Sequence, residues 1–478
     1  MSNKITYKWL GFIFLTLSFS ACVVPVTLID KKANTSVPAS YNNSQDSTNT
    51  AKVKWKDYFT DPNLSALIDV ALQNNQELNI TLQEIEIARN EIQSRKGEYL
   101  PFVNLGGGAG AEKVSRYTSQ GASDAMSEIK PGKETPDILP NTYFGAFAHW
   151  EVDIWHKLRN ARKVAVTNYL ASTEGKNFLV TNLVAEIARS YYELMALDNH
   201  LEIIQKNIVI LNNALAIIKQ EKDAAKVTEL AVRRFEAEVF KTKSLQYEIQ
   251  QKVVETENRI NFLVGRYPQP VQRSSQGFNE LVPHKIYAGL PSQLLENRPD
   301  IKQAELKLVA AKLDISVAKA NFYPSLGLSA SLGFRSYNPL YLANLPEALM
   351  SSLAGDLAGP LINKNAIIAT YKSANSKQIQ AVYDFERTIL NAYIEVSNQL
   401  SNIDNLEKKY NMKNNQVQAL TQSTDISLKL FKSARADYME VLLTQRDVLE
   451  SRMELVETKM MQMNALVNTY RALGGGWN

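Results

Sequence analysis

The sequence predicts a mainly α-helical chain that also supplies four strands to a membrane β-barrel, with its second half repeating the plan of its first. Over two long stretches, apolar residues recur at alternating steps of three and four, which is typical of a coiled-coil seam. Other segments alternate apolar residues with small or polar ones, as strands with two different faces do. Both patterns occur twice and in the same order, which indicates an internal duplication.

The N-terminus has the layout of an export signal. Lys4 and Lys8 precede an apolar run from Trp9 to Phe19, and two small residues stand directly before Cys22. This junction resembles the bacterial lipobox, whose peptidase cuts before a cysteine that has received a diacylglycerol. The resemblance implies that Cys22 is the lipidation site, with a diacylglycerol and an N-acyl chain, and that Val23 permits sorting to the outer membrane. The alternative is an ordinary signal peptide with an incidental cysteine.

The segment that follows is rich in polar residues. Between Asp30 and Ala51 the chain is dominated by Asn, Ser and Thr, so it is expected to bury too little surface to offset its ordering entropy and to act as a tether. No later segment offers an uninterrupted apolar run long enough for a membrane helix, so a second membrane helix is not predicted. If the mature chain crosses a bilayer, it does so as strands.

Two heptad seams mark the helical rods. The first seam is formed by Leu194, Leu197, Leu201, Ile204, Ile208, Leu211, Leu215 and Ile218. The second pairs two rows, namely Met439, Met453, Met460 and Val467 with Leu442, Leu449, Val456, Met463 and Tyr470. The helical pattern runs from about Lys157 to Ala224 and from about Lys364 to Lys432, on the order of 100 Å each at the α-helical rise. Turns at Ala224–Thr228 and Ser433–Asp437 are expected to fold each rod back as a hairpin.

A strand pattern precedes each rod. Within Tyr143–Ile154 and Phe322–Phe334, one row is apolar and the other is mostly small or polar, so the apolar row is expected outside and the other row inside a barrel. A further strand is expected from Tyr99 through about Gly110. The fourth strand is marked by Leu349, Leu353, Leu357 and Leu361.

Aromatic residues and loops complete the predicted hairpins. Five aromatic residues near strand ends or on outward rows are expected in an interfacial belt, with strand core as the alternative. They are Phe102, Trp150, Phe322, Tyr323 and Phe334. The loops Glu112–Pro140 and about Arg335–Pro346 are rich in polar and turn residues, and the first is expected at the cell surface.

Four strands cannot close a barrel, and an open sheet edge does not persist in lipid, so the chain is expected to form oligomers. Two copies would give eight strands around a filled interior, whereas three give twelve and leave a lumen, which suits the small inward residues better. The chain is divided into a signal peptide (1–21), a lipid-anchored tether (22–54), a helical region (55–98) and a first transmembrane β-hairpin (99–153). A first helical hairpin (154–266), a connecting segment (267–291) and a helical region (292–321) follow. The last divisions are a second transmembrane β-hairpin (322–361), a second helical hairpin (362–473) and a C-terminal tail (474–478).

Composition argues against several other classes. The net charge of +4 disfavours a nucleic-acid binder, and one cysteine with four histidines excludes a disulfide framework and a Cys/His zinc cluster. His149 and His156 have no third ligand at metal spacing, so no metal site is predicted. Methionine thioethers bind copper and silver, yet those on the seam are expected to fill the core. No catalytic pattern can be argued, so an enzyme is not predicted and no cofactor is expected.

Five motifs then occur in order along nearly the whole mature chain. They are Trp55–Phe59 continuing to Asn75, Trp150–Trp155 with Leu158–Arg159, Leu290–Ser292 with Arg298–Asp300, Phe322–Ser325 followed by Gly359–Leu361, and Tyr470–Trp477. This ordered set resembles the TolC-like outer membrane factors, specifically the lipoprotein branch that serves resistance-nodulation-division (RND) efflux pumps.

The resemblance implies a homotrimeric tunnel with a twelve-stranded barrel in the outer membrane, a long periplasmic helical barrel and an equatorial belt. It implies that the belt includes the N-terminal segment 22–54 and the equatorial segment 267–291. It implies a passive conduit for drugs or other small toxic compounds, which an inner-membrane RND pump delivers through a periplasmic adaptor (membrane fusion) protein. The alternative is the exit channel of an ATP-driven (type I) system that secretes proteins or peptides. A periplasmic adaptor or a structural coiled-coil protein would not explain the duplicated strand pairs.

The resemblance also implies that the C-terminal helical turn forms the periplasmic gate. The residues expected there are Arg435, Asp437, Glu440 and Leu443. Leu443 stands where the family usually has an aspartate, so an aspartate ring is not carried over and closure is expected to be partly hydrophobic. In a trimer each charged residue would recur as a ring that selects ions. A merely solvated turn is the alternative.

The N-terminal helical turn resembles the other tip of the family, where adaptors dock. Its residues are Lys226, Thr228 and Glu229. Ala231 replaces a frequent aspartate of that motif. The expected partners are therefore two further copies of the chain, the adaptor, the pump and outer membrane lipid, and no nucleic acid.

Overall fold

The computed structural model describes residues 28–29, 31–41, 46–282, 285–360, 362, 364–433 and 435–477. The expected signal peptide and Cys22 lie outside these residues. The helices are α1 (Trp55–Tyr58), α2 (Pro62–Asn74), α3 (Gln76–Tyr99), α4 (Ser119–Met126), α5 (Lys157–Asp223), α6 (Glu229–Leu263), α7 (Leu294–Asn297), α8 (Pro299–Ala320), α9 (Asn365–Lys432) and α10 (Tyr438–Ala472). The strands are β1 (Phe102–Glu112), β2 (Glu128–Lys130), β3 (Lys133–Glu134), β4 (Leu139–Val152), β5 (Ser325–Ser336) and β6 (Leu349–Ala358).

The chain divides into two compact units, and both halves of the sequence contribute to each. The first unit comprises Met1–Lys32, Glu86–Leu170 and Leu306–Val382. The second comprises Ala33–Ile85, Ala171–Glu305 and Tyr383–Asn478. The long strands belong to the first unit, and both heptad seams belong to the second.

In the first unit, four strands form one antiparallel sheet in the order β1-β4-β5-β6. The pairing joins Leu105 to Ala146, Ala146 to Leu332, and Ala330 to Leu353. These residues lie on one side, the outer face, together with Val103, Phe144, Trp150, Leu328 and Phe334. The other side, the interior face, includes Asn104, Gly106, Gly108, Gly145, His149, Ser329, Ser331 and Ser352. The sheet therefore has the two-sided character of barrel strands, and the predicted strand pairs are confirmed.

Prolines fix where helix passes into strand. Helix α3 continues to Tyr99, and β1 begins only after Pro101, because the residue before a proline is disfavoured in helical conformation. The first strand was therefore predicted three residues too early. Likewise α8 ends at Ala320, and β5 begins directly after Pro324.

Two members of the expected aromatic belt are placed elsewhere. Phe102 lies at the start of β1 and pairs with His149 on the interior face, so the expectation that it contributes to the belt is wrong. Phe322 is only 2% exposed and packs edge-to-face on Tyr371, with ring centroids 5.5 Å apart, so it belongs to a core. Trp150 lies on the outer face as expected. The error arose because strand register comes from the partner strand, not from the aromatic residue itself.

The surface loop after β1 contains secondary structure that the sequence did not predict. Helix α4 and the short antiparallel pair β2 and β3 lie within it. Arg116 and Asp137 close the loop with an ion pair. A Cβ on Gly121 would lie 2.0 Å from the Ser115 carbonyl oxygen, so this packing requires glycine there.

In the second unit the seams form the core. The first seam is confirmed by Leu194, Ile204 and Leu211, which are at most 1% exposed, and the second by Val456 and Tyr470, which are at most 2% exposed. By length and composition alone, α5 would also qualify as a membrane-spanning helix, which the sequence did not predict. A core helix meets the same test, and the seam residues of α5 lie in hydrophobic clusters.

The expected tether is partly packed. Tyr41 is 3% exposed and stacks on Tyr393 with ring centroids 5.4 Å apart. Asn49 forms an antiparallel bridge with Ala288, and Ala51 is buried. The prediction that this stretch buries too little surface is therefore wrong for these residues. They pack against segments that are distant in sequence, so they do not require a hydrophobic core formed within the stretch itself.

Candidate functional site: the helical tips and two cations of the second unit

The first helical tip is the linker between α5 and α6. Helix α5 ends at Asp223 and α6 begins at Glu229, with Thr228 at the N-cap position. The Thr228 side chain makes no capping hydrogen bond, although its carbonyl accepts from the Ala231 N–H at 3.0 Å. The Lys226 N–H donates to the Glu221 carbonyl at 2.8 Å. These bonds fix the backbone of the tip and leave the predicted docking side chains exposed.

A ladder of ion pairs crosses this tip. The Glu229 carboxylate lies 2.8 Å from the Lys222 Nζ and 2.8 Å from the Arg233 Nε. Arg233 and Lys219 both pair with Glu236, at 2.9 and 3.0 Å. A hydrogen bond from Lys222 lowers the pKa of the Glu229 carboxyl. Only Glu229 of this ladder is among the residues predicted from the sequence, although the four-residue spacing of Glu229 and Arg233 on one helix is a detectable pattern.

The second tip is the linker between α9 and α10. Helix α9 ends at Lys432 and α10 begins at Tyr438, with Asp437 as its N-cap residue. The Arg435 N–H donates to the Leu430 carbonyl at 2.8 Å, and the Glu440 N–H to the Asp437 carbonyl at 3.1 Å. Among the described residues, no ion pair joins Arg435, Asp437 or Glu440 to a partner. The charges predicted for the gate thus lie on one turn without a salt link, in contrast to the first tip.

Adjacent leucines on α10 have different environments. Leu442 is 9% exposed and packs into a cluster formed by the first hairpin, which includes Ile218 and Phe235. Leu443 is 39% exposed and is not part of that cluster. The Arg234 guanidinium donates to the Met439 sulfur at 3.3 Å, which adds a second contact between the hairpins. The predicted gate residue Leu443 is therefore an exposed apolar side chain near the start of α10, beside Leu442, which anchors the helix in the core.

Two cations were not indicated by the sequence, namely Arg273, whose side chain is 15% exposed, and Lys459, which is buried. Arg273 donates to both oxygens of Asp198, at 2.6 and 2.8 Å, and pairs with Glu257. Lys459 is 4% exposed, and its Nζ donates to the Leu281 carbonyl at 2.8 Å and lies 4.5 Å from the centre of the Tyr410 ring.

Burial lowers the pKa of the Lys459 ammonium. Both cations attach the 266–290 segment to helices of the second unit. No periodic sequence pattern identifies Arg273 or Lys459, because the residues that each contacts are distant in sequence. Within the described part of the chain, no cluster of three or more His, Cys, Asp or Glu side chains has the grouping of a metal site.

A family model described as outer membrane efflux protein matches residues 67–266 and 290–475. The chain belongs to the outer membrane efflux protein family. Its members act as outer membrane exit channels for efflux, which defines the function and location of this chain. The two matched stretches correspond to the two halves of the internal repeat.

Individual relatives of this outer membrane efflux protein agree with that assignment. The pyoverdine export outer membrane protein OpmQ of Pseudomonas aeruginosa is 27% identical over 433 residues, which cover 89% of this chain and 87% of OpmQ. The toluene efflux pump outer membrane protein TtgI of Pseudomonas putida is 27% identical, covering 91% and 90%. The probable outer membrane lipoprotein SilC of Salmonella typhimurium is 25% identical, covering 88% of each chain.

A solved structure shows the same fold. The open state of the Neisseria gonorrhoeae MtrE outer membrane channel matches with a TM-score of 0.82 and 22% identity, covering 95% of this chain and 98% of MtrE. The TolC-like fold, mainly helical with barrel strands, is therefore that of this outer membrane efflux protein.

Proposed function

We propose that three copies of this outer membrane efflux protein form one passive conduit. The observation that carries the proposal is the four-stranded sheet, whose edge strands β1 and β6 have no further partner among the described residues. An open edge in lipid leaves backbone groups unpaired, at a cost of several kcal/mol each. Closure by three copies pairs every edge and gives twelve strands, enough for a lumen lined by the small and polar interior face.

We further propose that an inner-membrane RND pump delivers small toxic compounds to this conduit through a periplasmic adaptor. The family and the names of OpmQ and TtgI, an export protein and an efflux pump component, support small-molecule efflux. The proposed conduit needs no energy source of its own, because the pump supplies the driving force. No enzymatic step is proposed for this chain.

The first tip is proposed as the adaptor-docking surface. Lys226, Thr228 and Glu229 are exposed, and the ion pairs around Glu229 keep α5 and α6 in a fixed geometry. A fixed backbone with exposed polar side chains loses little conformational entropy when a partner docks. The charges there are paired within the chain, so docking is expected to rely mainly on shape.

The second tip is proposed as the gate. Arg435, Asp437 and Glu440 make no ion pair in the described part of the chain, so their charges are free to face a constriction. The exposed Leu443 would supply an apolar contact to the same residue of the other copies. Leu443→Asp should then raise ion conductance and permeability to external drugs, whereas Leu443→Ile should leave both unchanged. Equal conductance of the Asp and Ile variants would contradict this gate.

The lipid anchor and the equatorial belt are also proposals. Cys22 is proposed to carry the lipid, and the similarity to the lipoprotein SilC supports this. Residues 22–54 and 267–291 are proposed to form the belt together, because the Asn49–Ala288 bridge joins them and the Thr50 N–H donates to the Tyr287 carbonyl at 2.9 Å.

Photo-crosslinking in cells tests the partners. A photoreactive side chain at Glu229 or at Asp437 should capture a periplasmic adaptor of a proton-driven pump, identified by mass spectrometry. The same group at Lys408, an exposed position on α9 remote from both tips in sequence, serves as the control. Capture of the adaptor of an ATP-driven exporter would instead indicate protein or peptide secretion. Capture of the same proteins from all three positions would argue against docking at the tips.

A further inference from the structure

A cavity lies between α9, α10 and the segment that precedes α7 in the second unit. Its volume of about 570 Å³ falls within the range of about 300–1,000 Å³ that is typical of small-molecule pockets. The apolar part of its wall is aliphatic and is formed by Val282, Ile286, Leu400, Ile403, Leu406 and Leu466. This space is called the α9–α10 pocket below.

One side of the α9–α10 pocket is polar. Lys459 and Gln462, one helical turn apart on α10, line it together with Tyr410 of α9. The Lys459 Nζ donates to the Leu281 carbonyl and lies over the Tyr410 ring, whose hydroxyl donates to the Asn279 carbonyl at 3.0 Å. An ammonium has three N–H donors, so these contacts leave donor capacity for a group that enters the pocket.

The charge of Lys459 is not matched by a carboxylate. In the described part of the chain no ion pair joins Lys459 to Asp or Glu, although the side chain is only 4% exposed. Arg298, the other Lys or Arg that is buried among the described residues, pairs with both Asp300 and Glu395. A buried charge without a partner is costly, because the ion loses its hydration. An anion in the α9–α10 pocket would remove that cost.

The remaining charges of the lining do not supply this anion. Lys285 and Glu407 also line the pocket, but both side chains are exposed and they are opposite in sign. Water and salt screen exposed charges much more than buried ones. The pocket is therefore net positive, with its charge concentrated at the buried Lys459.

A second polar group of the pocket also lacks a partner. Gln462 is 9% exposed, and its Nε2 donates to the Leu406 carbonyl at 3.2 Å. Its Oε1 is buried and accepts no hydrogen bond from the described residues. A buried acceptor without a donor is destabilising, and a hydroxyl or N–H of a ligand would satisfy it. Because Gln462 lies one turn from Lys459, that donor would lie close to the anionic group.

We propose that the α9–α10 pocket binds an amphiphilic carboxylate, whose hydrocarbon chain packs on the aliphatic wall and whose carboxylate accepts hydrogen bonds from the Lys459 ammonium. A hydroxyl close to the carboxylate donates to the Gln462 Oε1. A 3-hydroxy fatty acid combines these features. The site is separate from the conduit proposed above, because binding here requires no passage of cargo and is measured without transport.

Equilibrium dialysis of radiolabelled amphiphiles against the full-length protein in lipid nanodiscs tests the site, with empty nanodiscs subtracted. Decanoate and decanol share a chain, but only decanoate is an anion. Lys459→Met should raise the Kd of decanoate by at least about tenfold, the factor expected for one hydrogen bond to a charged group, and change that of decanol by less than about twofold. Lys408→Met, at an exposed ion pair on α9, should leave both constants unchanged.

Two further variants test the neighbouring contacts. 3-Hydroxydecanoate should bind about fivefold more tightly than decanoate, and Gln462→Met should abolish this difference while decanoate still binds. Ile403→Trp fills the aliphatic part of the pocket, so it should weaken the binding of all three amphiphiles together.

Several results would overturn the proposal. Wild-type nanodiscs that bind no more decanoate than empty nanodiscs would do so, as would a Lys459→Met variant that weakens decanoate and decanol equally. Unchanged binding in Ile403→Trp would place the amphiphile elsewhere. A cysteine at Ile403 that crosslinks to a second copy, in protein that binds no decanoate, would assign the pocket to contact between copies instead.

Discussion

Removing the charge of Arg298 is predicted to lower the free energy of unfolding substantially. This side chain is 6% exposed and joins the start of α8 to helices α9 and α10 within the second unit. Its guanidinium donates to Asp300 at 2.7 Å, to Glu395 at 2.8 Å and to the Ala472 carbonyl at 2.7 Å. Arg298→Met keeps the apolar volume but leaves two carboxylates and one carbonyl without their cation.

The magnitude follows from this geometry. Breaking a fully buried ion pair by removing one partner costs about 3–5 kcal/mol. The carboxylates of Asp300 and Glu395 retain 17% and 27% exposure, and Arg471 still pairs with Glu395, so about 2–4 kcal/mol is expected. A unit of roughly 280 residues unfolds with an entropy of about 0.6 kcal/mol/K, which converts this loss to a fall in Tm of about 3–7 °C.

Thermal unfolding followed by far-UV circular dichroism on the purified protein measures this shift. Arg387→Met is the matched control, because Arg387 pairs with Asp384 on an exposed surface where such pairs contribute at most about 1 kcal/mol. Arg298→Lys should fall between the wild type and Arg298→Met, since an ammonium cannot form the forked pair. The reasoning is refuted if Arg298→Met and Arg387→Met melt within about 1 °C of each other.

Three further predictions concern the sheet, the seam and pH. A Cβ at Gly145 would lie 2.8 Å from the backbone of β5, so Gly145→Val should abolish heat-stable assembly on gels, whereas Gly110→Ala, in open space, should not. Ile204→Ala at a fully buried seam position should cost about 2–5 kcal/mol in denaturant unfolding, against under about 0.5 kcal/mol for Val209→Ala at a 60% exposed position. Burial lowers the pKa of the His200 imidazole, so below about pH 6.5 the unfolded chain binds more protons and stability falls as pH drops. His200→Gln should flatten this fall in melting experiments between neutral and mildly acidic pH.

The helical part of the fold was accessible from the sequence because its pattern is local. The expected rods and the observed α5 and α9 agree within one residue at each end. Ala224–Thr228 and Ser433–Asp437 fill the gaps between helices, as their composition indicated. A heptad seam needs only neighbouring residues on one helix face, so its burial follows once a partner helix is present.

The candidate site was less accessible, because its contacts join distant segments. Glu229 and Leu443, at the starts of α6 and α10, could be named from the sequence. The ladder around Glu229 and the exposure of Leu443 beside buried Leu442 depend on packing. No sequence pattern indicated the role of Lys459, since the carbonyl that it binds belongs to Leu281, which is distant in sequence. Phe102 was expected in the interfacial belt but lies on the interior face, because the register with β4 decides its direction.

The sequence by itself determined the periodicities, and through them the order of helices, strands and turns, the duplication and the family. Tertiary structure alone decided which aromatic rings line the interior face, where the polar segment around Tyr41 docks, and which charges lose their contact with water. The physical reason is the distance along the sequence over which the interactions act. Secondary structure depends on residues a few positions apart, whereas register, burial and ion pairing depend on neighbours that only the folded chain brings together.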